Sequence, residues 1–164
     1  MDRTLVLLRH AKADRPNGVA DEERPLTERG HADSAAAGVW LVKHGYVPDL
    51  VLCSPSKRTR QTWHSVAVAL AQSKASHVRY DRVVYDGAAD DLLSVVRSAE
   101  PEARVILLIG HNPALSYFSE LLDPSGGNDS DGMRTCGIAV HQTSEDWAAM
   151  RTAKLIATHT ARAE

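Results

Sequence analysis

Three stretches of the chain, 4–8, 49–53 and 104–109, each hold four or five consecutive apolar residues. A strand with one face in water alternates apolar and polar side chains. An unbroken run instead suits a strand covered on both faces, as in a parallel sheet. Between these runs the pattern turns helical. Thr27 can cap a helix that reaches about His44, with Gly45 as its stop. Ala32, Ala35, Ala36, Val39, Trp40 and Lys43 give that helix a stripe at 3.6-residue spacing, with the lysine stem at its edge. Ser54 and Pro55 read as cap and first position of a second helix, whose buried face would carry Thr59, Thr62, Trp63, Val66 and Leu70.

Further along, 78–85 gives a mixed strand signal, and 90–99 reads as a short helix ended by Pro101. Asn112 as cap and Pro113 as first residue open a helix to about Leu122. Residues 14–25 and 123–132 read as loops, 137–141 as a strand, and 147–156 as either a strand or a fraying helix. Strands alternating with helices predict an α/β sandwich with a mostly parallel sheet. The chain has 164 residues, enough to bury a core as one domain spanning 1–164.

Composition narrows the function classes. Lys plus Arg number 19 against 21 for Asp plus Glu, so the basic excess expected of a nucleic-acid binder is missing. No apolar run approaches the roughly 20 residues that span a bilayer, and the first run stops at Arg9, too early for an export signal. The two cysteines, Cys53 and Cys136, lie outside any CxxC pair and read as free thiols in a reducing cytoplasm. The EF-hand pattern fails in the 123–132 loop, because Ile138 falls where the bidentate glutamate is needed.

Eight histidines remain as chemical candidates. His10 and His111 each follow a buried-type strand directly, whereas His31, His44, His64, His77 and His159 fall on expected surfaces and His141 on a strand. A metal site would want a third ligand at short spacing, and neither HxH nor HExxH occurs. Ser54 lacks the G-x-S-x-G elbow, and Cys53 sits within an apolar strand. In open α/β sheets ligands bind at the carboxyl ends of the strands. If the strands are parallel, Arg9-His10, Ser54 with Lys57, Arg58 and Arg60, and Gly110-His111 share one rim. Arg58 would also lie near a helix N-terminus, where the dipole disfavours a cation unless an anion binds beside it.

Four segments then resemble a known family. Leu7-Leu8-Arg9-His10-Ala11-Lys12-Ala13 is similar to the RH-G/A signature of the histidine phosphatase superfamily, the phosphoglycerate-mutase-like fold. Ser54-Pro55-Ser56-Lys57-Arg58-Thr59-Arg60-Gln61-Thr62 resembles its SPxxRxxQT element, and Gly110-His111-Asn112-Pro113 its second-histidine element. Arg24-Pro25-Leu26-Thr27-Glu28-Arg29-Gly30 resembles the RPLTxxG segment between them. The RHAKA and GHNP forms and the short chain resemble the SixA-type phosphohistidine phosphatase branch most closely.

The resemblance implies a three-layer α/β/α sandwich and a metal-independent phosphatase without a cofactor. It makes His10 the nucleophile that becomes phosphohistidine, with Arg9, Arg58 and His111 holding the phosphoryl oxygens and Arg24 adding a contact. Many larger family members carry a glutamate as general acid; here the corresponding region is Val84-Tyr85-Asp86-Gly87, where Asp86 is either a proton donor or a turn residue. A site without a strong acid suits the P–N bond of a phosphohistidine protein, because imidazole departs readily. A phosphomonoesterase for a small metabolite or nucleotide, and an inactive phosphate-binding module, are the competing expectations.

Overall fold

The computed structural model describes residues 2–127 and 132–164. The apolar runs become β1 (Arg3–Arg9), β2 (Leu50–Cys53) and β4 (Val105–Gly110). With β3 (His77–Tyr80), β5 (Gly137–Thr143) and β6 (Lys154–Thr160) they form one sheet in the order β3-β2-β4-β1-β5-β6. The first four strands in that order are parallel, and β5 and β6 are added antiparallel at one edge. The helices are α1 (Glu28–Lys43), α2 (Lys57–Leu70), α3 (Arg82–Asp86), α4 (Ala89–Arg97) and α5 (Ala114–Leu122). Short 3-10 turns lie at Asp21–Glu23 and Trp147–Ala149.

The continuous apolar runs are explained by layering. Side chains alternate across a strand. Val6, Leu8, Val51, Cys53, Leu107 and Ile109 therefore pack with Ala37, Leu41, Trp63, Val66 and Leu70 of α1 and α2. Leu5, Leu7, Leu50, Leu52, Ile106 and Leu108 pack on the other face with Leu92, Val95, Val96, Leu115, Phe118 and Leu122 of α4 and α5. The architecture is the expected three-layer α/β/α sandwich. No helix among the described residues is long and apolar enough to cross a membrane.

Several local expectations shift. The buried face of α1 is Gly30, Asp33, Ser34, Ala37, Gly38 and Leu41, not the stripe through Ala32, Ala35 and Val39. The reason is close approach: a Cβ on Gly38 would stand 2.6 Å from the Val66 carbonyl oxygen of α2. Small residues mark this face, and hydrophobicity does not. Ser56, not Ser54, is the N-cap of α2, its hydroxyl bonding Thr59. Asn112 does not cap α5; its side chain accepts from the Ser116 hydroxyl and donates to the Met133 carbonyl.

Segment 78–85 is strand only to Tyr80, then helix α3, with Asp81 accepting from the Val83 amide as its cap. Segment 147–156 resolves into a 3-10 turn and the start of β6. Of the 123–132 loop, residues 128–131 lie outside the described residues. Histidines 31, 44, 64, 77 and 159 are exposed, and His141 is fully buried between Ser119 and the Ala153 carbonyl.

Candidate active site

The sheet brings three strand ends to one rim. Arg9 pairs with Gly110 and Cys53 with Ile109 in register. The ladder continues past the strands: the His10 amide donates to the Gly110 carbonyl and the Ser54 amide to the Ile109 carbonyl, each at 3.1 Å. The residues that follow β1, β2 and β4 must therefore converge, although they are far apart in sequence.

His10 is 7% exposed. Its Nδ1 lies 2.7 Å from the Ala11 carbonyl oxygen. A carbonyl only accepts, so Nδ1 carries the proton and Nε2 keeps its lone pair. The ring centroid of His111 is 5.3 Å away. There the order of protonation is reversed: Arg58 donates to Nδ1 at 3.3 Å, so Nε2–H donates to the Ser54 hydroxyl at 2.8 Å. Burial pushes His10 down to about 4, helped by Arg58 and Arg9 and opposed by the Ala11 carbonyl. Burial, then His10 and Arg58, push His111 down to about 3. Both imidazoles are neutral at neutral pH.

The arginines come from three elements. Arg9, the last residue of β1, donates to the Met133 carbonyl at 2.9 Å, and burial followed by the charge of Arg58 lowers its pKa. Arg58 is the second residue of α2, beside a helix N-terminus. Buried Nε atoms of Arg9 and Arg58 have no hydrogen-bond partner among the described residues. Unpaired guanidinium N–H groups in a buried site are costly, and an anion there would satisfy them. Arg24 donates from the 14–25 loop to the Asp14 carbonyl and to the Asp21 carboxylate.

The rest of the motif segments hold this geometry. Thr62 of α2 accepts from the Ala11 amide, fixing the chain just after His10, and Gln61 accepts from the Leu26 amide. Gly30 lets α1 approach the loop: a Cβ there would stand 2.2 Å from the Lys12 carbonyl oxygen. Cys53 is buried and its thiol is pushed up to about 12, so it is not a reactive thiolate.

Residues 5–80 match the sequence profile of the histidine phosphatase superfamily (branch 1). An uncharacterised protein of Mycobacterium tuberculosis is 31% identical over 148 residues, 86% of this chain and 90% of that one. The structure of a candidate phosphohistidine phosphatase SixA from Nakamurella multipartitia superposes with a TM-score of 0.85 at 32% identity, covering 98% of this chain and 97% of that one. The chain belongs to the histidine phosphatase superfamily. It is a hydrolase, a phosphatase. A mycobacterial glucosyl-3-phosphoglycerate phosphatase shares the fold of this histidine phosphatase, with a TM-score of 0.68 at 18% identity over 100% of both chains.

Two groups at the rim of this phosphatase, Asp21 and Tyr85, were not legible from the sequence, and Ser54, expected on the rim, has a different role there. Ser54 is the partner of His111 rather than a helix cap. Asp21, in the polar loop, bonds both Arg58 and Arg24. Tyr85 packs edge-on against His111, with centroids 5.3 Å apart and planes at 82°. Asp86, its neighbour, pairs with Arg82 at 3.6 Å on an exposed part of α3. The one available signal was Asp81, whose type suits a helix cap and would have turned 82–86 into a helix. No group of three or more His, Cys, Asp or Glu among the described residues is placed to hold a metal ion.

Proposed function

We propose that this phosphatase removes phosphate from protein phosphohistidine, with His10 as nucleophile and Arg9, Arg58, His111 and Arg24 around the phosphoryl group. The observation that carries the reading is the hydrogen bond from His10 Nδ1 to the Ala11 carbonyl, which leaves Nε2 unprotonated with its lone pair. That lone pair attacks phosphorus, and the bond from phosphorus to the leaving imidazole breaks. Water then attacks the phosphorylated His10, releasing inorganic phosphate and restoring the ring. The arginines stabilise the charge spread over the equatorial oxygens, so no step is routed through a metal.

The choice of substrate rests on the missing acid. Asp21, which bonds Arg24 and Arg58, is held well below the usual carboxylate range, chiefly by the hydrogen bond from Tyr85. Tyr85 itself is raised, first by that same bond. Neither is a ready proton donor at neutral pH, and Asp86 is engaged with Arg82. A leaving group that departs without strong protonation, such as the imidazole of phosphohistidine, fits such a site; an alkoxide does not.

Turnover of a phosphohistidine peptide against a panel of alkyl and aryl phosphomonoesters tests this. The peptide should be preferred, with alkyl phosphates slow. Equal turnover of alkyl phosphates would shift the reading to a metabolite phosphomonoesterase, and no turnover of any phosphate would leave an inactive binding module. The trapped phosphoenzyme should be labile to acid and stable to base, as a P–N bond is.

A further inference from the structure

We propose that Asp21 is a positioning carboxylate of the phosphate site: it holds Arg58 and Arg24 in place while the pocket is empty and competes with phosphate for them when it is full. The inference rests on the reading of those two arginines as phosphate holders. Asp21 lies on the 3-10 turn of the 14–25 loop, and its side chain is 52% exposed. It belongs to neither hydrophobic cluster of the core. Yet it gathers groups from two other elements, α2 and α3, and Arg24 from its own loop. Its main-chain carbonyl accepts from Arg58 Nη1 at 2.7 Å. Oδ2 accepts from Arg58 Nη2 at 3.0 Å and from the Tyr85 hydroxyl at 2.6 Å. Oδ1 accepts from Arg24 Nη1 at 3.1 Å.

Electrostatics explains why a carboxylate stands there. The Arg58 and Arg24 side chains are only 7% and 12% exposed. With Arg9 they place three cations around two neutral imidazoles. Unliganded, such a cluster repels itself and its side chains would splay; a single carboxylate bridging two of them supplies the counter-charge and a fixed geometry. Both terminal nitrogens of Arg58 are engaged by Asp21, and the Nε has no partner among the described residues. An arriving phosphate must then share Arg58 with an anion already present. Ground-state phosphate is held less tightly than three free arginines would hold it, while the guanidinium keeps its aim. This is the balance that favours turnover over product retention.

Two effects of opposite sign make the proposal testable. Asp21→Asn keeps the shape and one acceptor but removes the charge. Inorganic phosphate, measured as a competitive inhibitor of aryl phosphate hydrolysis, should bind about fivefold more tightly, as loss of one partly screened like charge predicts. The kcat should fall about tenfold, because the arginine fork is no longer fixed. Tyr85→Phe, which removes one of the bonds to the carboxylate, should move both quantities in the same directions by less. A variant whose phosphate affinity is unchanged or weaker overturns the proposal, as does parallel loss of activity and melting temperature, which marks a merely structural residue. Arg58→Ala is measured alongside. Full activity there removes the underlying reading of the site, whereas an inactive Arg58→Ala beside an unaltered Asp21→Asn removes only the role given to Asp21.

Discussion

At the scale of single residues, hydrogen bonds select which ring nitrogen carries the proton, while burial and the neighbouring arginines keep both rings neutral. His10 and His111 sit 5.3 Å apart yet carry their protons on different ring nitrogens, because one faces a carbonyl and the other a guanidinium. His10→Ala should retain the fold and lose at least nine-tenths of turnover, with incorporation of labelled phosphate abolished; rate and phosphoenzyme assays check this. Arg9→Ala and Arg58→Ala should each cost roughly 100-fold in kcat/KM, the usual loss for one preorganised oxyanion contact. Titration of the ring protons by NMR should place His10 near 4, below the ordinary 6.5. Arg58→Gln should move that midpoint upward, since the arginine charge is one of the groups that lowers it. A midpoint at 6.5 in the wild type would show that the ring is hydrated.

At the scale of elements, positioning is done by close contacts between backbones. Helices α1 and α2 meet through Gly38, where a Cβ would stand 2.6 Å from the Val66 carbonyl and 2.9 Å from Ala69 Cβ. Gly38→Ala gains helix propensity but forces the helices apart. The net effect should be destabilisation by about 1–3 kcal/mol, the usual cost of overpacking, read by denaturant unfolding. Ser56→Ala should cost about 1 kcal/mol as a lost cap. It should also lower kcat, because the first turn it closes carries Arg58. A stability loss with unchanged kcat would separate the cap from the site.

At the scale of the whole molecule, the two buried neutral histidines of the site, with buried His141, whose pKa burial also lowers, link folding to pH. Their folded values lie below the unfolded value, so between about 4 and 6.5 the unfolded chain binds more protons than the native one. Stability therefore rises with pH through that window and is fully present above it. At about 1.36 kcal/mol per unit, His10 alone contributes roughly 3 kcal/mol of this dependence. Asp21 adds a loss in the same direction at lower pH, since its depressed carboxylate must be protonated on acidification. Chemical denaturation at pH 7.5, 6 and 4.5 should show a steady decline, and His10→Ala should make it shallower, with the His111 and His141 contributions remaining. A flat wild-type curve would contradict the burial of these rings.

Much of this protein was legible in the sequence because its strongest signals are local and repeated. Continuous apolar runs specify strands covered on both faces, and a parallel sheet then forces the residues after β1, β2 and β4 onto one rim; His10, Ser54, Arg58 and His111 follow from that. The four motif segments added Arg24 and the roles expected of the rim residues. What the sequence did not disclose depends on packing between elements. The buried face of α1 is chosen by the need to approach α2, which favours small residues that no hydrophobic period reveals. The partners of the arginines, Asp21 and the Met133 carbonyl, come from loops without any period at all. Tyr85 was hidden because a four-residue strand and a five-residue helix adjoin in 77–86, each too short to show its own repeat. Sequence patterns fix which face an element hides in proportion to its length and regularity. The side chains that meet across a loop are decided only when the sheet has set the distances between them.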